Sequence, residues 1–407
     1  MSSSSEVTAR SARQSRRPGR SRLISSSNLA NPLCFLCSML CSVWMSQRAQ
    51  SGARGWHMTK KAPQRARTAA SATTPVSKVV IFFMENHTTD NVASDVPGVC
   101  GNPTLPLAPD VVVPDPPHDH GHWMQRKTPA PGGARRQRYS AAELPNLYLL
   151  MNGFTVCDNY FSDYAGNSFP NHCFAIGGDA EWAFMNPGHR YTFTVQTPGL
   201  PARLSKAQKT WANYGKGFAF AQYKDPSMHR NVKTQAQLLA DARAGRLPNV
   251  SWVYGPRGND FHPGPVGQGD GSSMEASDAW LGSAVKAVAT GKDWPHVMVF
   301  ITFDDWGGWD DHVDPPAVEK FPQGTPFAGE PYRYGSRVPC IVVGPYAKAS
   351  HVSHALSSHV SLIAFIERLW GLSPSPNADA KRRTMADTAM RDCHDFTQTP
   401  LAPPRLP

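Results

Sequence analysis

Two apolar runs of this chain end in groups of oxygen-bearing side chains. Lys78–Met84 runs into Glu85-Asn86-His87. His296–Phe303 runs into Asp304-Asp305-Trp306-Gly307-Gly308-Trp309-Asp310-Asp311-His312. Carboxylates and an amide oxygen are hard donors suited to a divalent cation. Crowded together without one, the acids would repel and shift each other's proton affinity. Asp and Asn at strand ends also serve as plain turn or helix caps, and that reading suffices for Glu85-Asn86 taken alone. It does not account for four Asp, two Trp, two Gly and a His in nine residues, which contribute little to a core.

Three further groups carry reactive side chains. Asn167-Ser168-Phe169-Pro170-Asn171-His172 precedes an apolar stretch. Ser168 there is either a helix cap or a nucleophile whose developing anion is stabilised by a helix N-terminus. His118, His120 and His122 alternate in His-Asp-His-Gly-His, a pattern that either binds zinc or lies in a surface loop. His262 stands in Asn259-Asp-Phe-His-Pro263, where a ring nitrogen could serve a ligand or simply pack a loop.

The elements that must position these residues alternate. Lys78–Met84, residues 249–254, 296–303 and 338–343 are short apolar runs rich in β-branched and aromatic residues, which read as buried strands. Helical periodicity falls over 142–152, 234–244, 276–290 and 359–369, the last with Gly371 suited to its C-terminal end. This alternation predicts an α/β fold with a mainly parallel sheet and helices on both faces. Ligands of such sheets sit beyond the carboxyl ends of the strands, where the Glu85 and Asp304 groups fall. Irregular segments at 97–140, 255–275 and 314–335 are long enough to rim that edge, and residues 373–407 are expected to wrap the surface.

The chain has 407 residues, of which 40% are hydrophobic and 18% charged, too apolar for a wholly disordered chain. No run of about 18 apolar residues suits a membrane span. The formal charge of +10 would suggest a nucleic-acid partner, but it is concentrated in a tail. Residues 1–75 hold twelve Lys or Arg against Glu6, a net +11, which leaves −1 for residues 76–407. No nucleic acid is therefore expected on the folded part. Within the tail, Arg16-Arg17, an apolar run at 33–45 and Ala70-Ser71-Ala72 follow the order of an export signal. They suggest a secreted or periplasmic protein, with a cytoplasmic one as the alternative. We divide the chain into a basic tail, 1–75, and one catalytic domain, 76–407. Cys34 and Cys37 lack a second ligand pair, which argues against zinc there. Cys100, Cys157, Cys173, Cys340 and Cys393 allow up to two disulfides or stay buried and reduced.

Together these motifs resemble the bacterial acid phosphatase and phospholipase C phosphoesterase family, a branch of the alkaline phosphatase-like superfamily. The resemblance spans about residues 76–400. It rests on Glu85-Asn86-His87-Thr88-Thr89-Asp90, on Gly166-Asn167-Ser168-Phe169-Pro170-Asn171, on Thr302 through Pro316, on Gly335-Ser-Arg-Val-Pro339, and on Pro345-Tyr-Ala347 and His359-Val-Ser-Leu-Ile-Ala-Phe-Ile-Glu367. It implies a divalent metal ion held by Glu85, Asn86, Asp304 and Asp305. It implies Ser168 as nucleophile, also touching the metal, and His118 and His262 as phosphate contacts. Thr89 and Asn167 replace the usual aromatic and Pro, changes that bear on substrate shape more than chemistry. Physically, a phosphate ester needs an in-line nucleophile, a cation for the phosphoryl oxygens and an acid for the leaving group. The expectation is an acid phosphatase-like phosphoesterase acting on a phosphate-ester substrate through a phosphoserine, an expectation to which the short stretch after Leu369 contributes. The alternatives are a phospholipase C, touching membranes only transiently, and a non-catalytic metal or phosphate binder.

Overall fold

The computed structural model describes residues 74–129, 133–188, 191–215, 217–266, 271–374 and 390–407. The tail motifs, including Arg16-Arg17, Cys34, Cys37 and Ala70-Ser71-Ala72, lie outside the described residues.

One mixed sheet organises the body. In chain order its strands are β1 (Lys78–Met84), β2 (Thr155–Cys157), β3 (Trp211–Tyr214), β4 (Val232–Lys233), β5 (Val250–Val253), β6 (Val297–Phe303), β7 (Cys340–Val343) and β8 (His351–Ser353). Their spatial order is β8-β2-β7-β6-β1-β5-β3-β4. β1 lies at the centre, parallel to both β5 and β6. The expected strands over Lys78–Met84, 249–254 and 296–303 therefore form the parallel heart of the sheet. The fourth, β7, runs antiparallel between β6 and β2, so it belongs to the sheet but not to its parallel part. β2 and β3, with only three and four residues, lack the long apolar runs that mark β1 and β6.

Helices cover both faces, as expected. Five longer ones are α1 (Pro145–Gly153), α2 (Ser168–Gly177), α3 (Gln235–Ala244), α4 (Met274–Ala289) and α5 (His359–Leu369). Ile81 pairs in register with Trp252 and Phe300, and these residues share one face. There the Trp252 indole N–H donates to the Ala175 carbonyl of α2 at 3.1 Å, and Phe300 meets Phe365 of α5 edge-on. Phe82, one residue on, points to the other face and meets Trp280 of α4. α4 also reaches across to start α1: the Asp278 carboxylate accepts the Asn146 and Leu147 backbone N–H groups at 2.9 and 2.8 Å, satisfying donors a helix start leaves unpaired. No described helix is long and apolar enough to cross a membrane.

Cys157, Cys173, Cys340 and Cys393 are buried free thiols. The body therefore does not carry the two disulfides its five cysteines allowed; a close-packed interior suits small apolar thiols equally well.

A buried ion cluster ties the loop after β6 to the turn after β1. The Arg337 guanidinium, 1% exposed, donates from Nε to Asp311 at 3.0 Å and from Nη2 to Asp90 at 3.1 Å. The Asp90 backbone N–H donates to Asp311 at 3.0 Å, and His312 Nδ1 lies 2.8 Å from Asp90. Removing one partner of a buried ion pair strands the others without compensation. Arg337→Met should thus lower the unfolding free energy by ~3–5 kcal/mol in a denaturant titration. A change below about 1 kcal/mol would show that the two acids do not depend on it.

Candidate functional site

The parallel register of β1 and β6 sets the first contact. Met84 lies opposite Phe303, so Glu85 and Asp304 leave the sheet side by side. The Asp304 N–H donates to the Met84 carbonyl at 2.9 Å, and the Asn86 N–H donates to Asp304 Oδ1 at 2.8 Å. Asn86 has φ +69°, a left-handed turn that Asn tolerates better than most residues. Gly307, at φ +54°, lies against it: a Cβ there would come within 2.3 Å of the Asn86 carbonyl oxygen. The glycine of the acidic run is thus required by the close approach of the two strand-end loops.

Asp305 faces the next element. Its Oδ1 accepts the Gly307 N–H at 2.7 Å, and its Oδ2 accepts the Ser168 hydroxyl at 3.2 Å. Ser168 is the first residue of α2, and Asn167, at the cap position, makes no capping bond with its side chain. The turn is held instead by Asn171, whose Oδ1 accepts the Tyr164 N–H at 2.7 Å. One helical turn beyond Ser168, on the same face, His172 Nε2 comes within 3.5 Å of Asp304 Oδ2 and 3.8 Å of Glu85 Oε1. From behind, His359 at the start of α5 sits 2.9 Å from the Asp304 carbonyl.

The electrostatics of this nest are those of too many acids in too little water. Glu85, Asp304 and Asp305 are all buried. Burial, then the Asp304 charge, pushes the Asp305 carboxyl well above the usual range. Burial also acts to raise Asp304, but His172 and the Asn86 N–H hold it below its ordinary value. Both polar atoms of the Asn86 amide, both ring nitrogens of His172 and Asp304 Oδ2 are buried with no hydrogen-bond partner. Unsatisfied groups of this kind are rare in a folded interior. Oxygen donors of the sort a hard cation takes, unpartnered beside crowded acids, fit the expected metal ion.

Two loops complete the edge. His118 and His262 lie with their ring centroids 6.0 Å apart, and each Nδ1 contacts a backbone carbonyl at 2.7 Å, of Pro116 and Pro263 respectively. Asp115 joins them: one ligand atom from each of the three lies within 4.8 Å of the others. The loops are anchored to the carboxylate nest through its neighbours. The Trp306 indole N–H donates to the His118 carbonyl at 2.8 Å, and the Glu85 N–H donates to the Asp260 carbonyl at 3.0 Å.

All seven residues singled out by sequence, Glu85, Asn86, Ser168, Asp304, Asp305, His118 and His262, thus come to this one strand edge. One sequence reading needs correction. The three alternating histidines do not converge. His120 is buried between the Ala165 carbonyl and Glu330, and His122 pairs with Asp119, because a short helix over His120–Met124 turns successive side chains in different directions. Of the acidic run, only Asp304 and Asp305 were expected at the metal, and Asp311 and His312 turn to Arg337 and Asp90. Two residues were missed, His172 and Asp115. His172 was within the quoted motif, and its spacing of four from Ser168 on a helix was the signal available. Asp115 sits in an irregular Pro-rich stretch that offered none.

Comparison with known proteins identifies the family. The model of the phosphoesterase family matches residues 117–373. The non-hemolytic phospholipase C of Pseudomonas aeruginosa is 26% identical over 325 residues, covering 68% of this chain and 44% of that protein. Phospholipase C B of Mycobacterium tuberculosis is 28% identical over 295 residues, covering 60% and 53%. The chain spans about half the length of these curated relatives. Among solved structures, murine ectonucleotide pyrophosphatase/phosphodiesterase 5 is 10% identical with a TM-score of 0.43, covering 78% of this chain and 100% of that one. A protein of the alkaline phosphatase superfamily from Vibrio parahaemolyticus is 11% identical with a TM-score of 0.39, covering 76% and 70%. The family match alone covers well over half of the sequence, including the Ser168, Asp304 and His262 motifs, and the chain belongs to the phosphoesterase family.

Proposed function

We propose that residues 76–407 form one catalytic domain that hydrolyses phosphate esters through Ser168. The observation that carries this reading is the Ser168 hydroxyl on Asp305 at the first position of α2, beside a nest of acids with unpartnered donor atoms. In this reading Glu85, Asn86, Asp304 and Asp305 hold a divalent cation, which when bound neutralises phosphoryl charge and lowers the pKa of a neighbouring hydroxyl. The chain's own residues do the rest. Ser168 Oγ attacks phosphorus, and Asp305 Oδ2, already accepting its hydrogen bond, is placed to receive the proton. The dipole of α2 favours the negative charge that gathers at its first residue. The ester oxygen leaves with a proton from His262 or His118, giving an alcohol and a phosphoserine. Water then attacks phosphorus and gives a proton to the deprotonated histidine, the Ser168 oxygen leaves and takes back the proton held by Asp305, and the phosphate is released.

The substrate class follows from the family, and the alcohol is the finer question. An acid phosphatase was the first expectation. The names of the curated relatives favour the phospholipase C alternative, with transient contact at a lipid surface. Action outside the cytoplasm is proposed on the order of basic, apolar and small residues in the tail.

Two substitutions test the roles. Ser168→Ala should reduce hydrolysis of p-nitrophenyl phosphate and p-nitrophenylphosphorylcholine by roughly 10³-fold or more, with unchanged circular dichroism. Near-normal turnover would reduce Ser168 to a helix cap. With His262→Ala, the leaving group decides. A proton donor's loss slows alkyl phosphates far more than p-nitrophenyl phosphate, whose alcohol needs little protonation. Loss of a phosphate contact slows both alike, and unchanged rates on both would remove His262 from the chemistry.

A further inference from the structure

The nest contains one nitrogen among its oxygens, and its surroundings are unusual for a histidine. His172 is 1% exposed, and neither ring nitrogen has a hydrogen-bond partner. Hydrogen bonds therefore do not orient the ring. Packing does: Tyr254 stacks on it at 5.3 Å with planes 15° apart, and Phe83 and Phe218 meet it edge-on at 4.8 and 4.7 Å. The cage aims Nε2 at two carboxylates. Its separations, 3.5 Å from Asp304 Oδ2 and 3.8 Å from Glu85 Oε1, are long for hydrogen bonds. They are close to the spacing of atoms sharing one cation. Two ligands each about 2.1 Å from a tetrahedral centre lie about 3.4 Å apart. One donor atom from each of Glu85, His172 and Asp304 falls within 4.8 Å of the others.

We infer that His172 is a nitrogen ligand of the cation held by this nest, and that it selects a borderline transition cation such as Zn²⁺ over Mg²⁺ or Ca²⁺. Imidazole suits zinc and its neighbours in the transition series, whereas sites for magnesium and calcium are built from oxygen. An all-oxygen nest of Glu85, Asn86 and Asp304 would favour zinc less strongly. With no protein partner on Nδ1, the tautomer is set by what binds at Nε2. This inference rests on the cation site proposed above and names the property that one residue adds to it.

Calorimetric titration of the full chain, stripped of metal, with Zn²⁺ and separately with Mg²⁺ tests it. The wild type should bind Zn²⁺ more tightly. His172→Phe keeps the aromatic cage filled, so the melting temperature of the metal-free protein should hold. Zn²⁺ affinity should fall by more than about 10-fold, the lower bound for losing groups one layer further from a metal, while Mg²⁺ affinity changes little. His172→Gln, which keeps a polar side chain, provides the same comparison if the Phe variant does not fold. A Zn²⁺-to-Mg²⁺ affinity ratio unchanged in the folded variant would overturn the role of His172 and leave the cation site standing. A wild type that binds neither cation would overturn both.

Discussion

Everything at this site depends on one constraint: two parallel strands in register deliver carboxylates to the same buried point. The pairing of Met84 with Phe303 puts Glu85 beside Asp304, and Asp305 follows at once. Buried anions in contact cannot all stay charged without a compensating cation or shared protons. Among the described residues, no buried Lys or Arg in the nest relieves this. The fold leaves Asp304 Oδ2 and the Asn86 amide without hydrogen-bond partners, while it spends a guanidinium close by on Asp90 and Asp311. That contrast separates acids paired with a cation of the fold itself from acids that have none.

Around the nest, the loops are fixed by what they touch rather than by their length. Gly307 lets the β6 loop lie against Asn86, Trp306 anchors the His118 loop, and the Glu85 N–H anchors the loop carrying His262. α2 contributes Ser168 and His172 from one face, one to Asp305 and the other to Asp304. A single rigid helix start thus sets both the hydroxyl and the imidazole against the strand ends, the kind of preorganisation that catalysis by positioning requires.

Much of this was legible in the sequence, for identifiable reasons. β1 and β6 are seven-residue apolar runs, and the polar residues ending them could only lie at the sheet edge. β2 and β3 were illegible because three or four residues carry too little pattern. The antiparallel direction of β7 was equally hidden, since an apolar strand buried on both faces reads the same in either direction. His172 was present in the quoted motif but drew no role there; it packs among Tyr254, Phe83 and Phe218, and the placement of Nε2 beside Asp304 and Glu85 is what the sequence could not give. The resemblance already singled out Asp304 and Asp305 from the acidic run; the pairing of Asp311 with Arg337 required knowing where Arg337 falls.

The central claim is that this nest is a cation site and that the chemistry needs it filled. Its most direct test is one titration of divalent cation into metal-free wild type and Asp304→Asn, with ester hydrolysis measured on the same samples. Removing the one carboxylate that touches His172 and the Asn86 N–H should weaken cation binding and lower the rate together, with the rate partly recovered at high cation concentration. Equal affinity and equal rate in the two proteins would contradict the account.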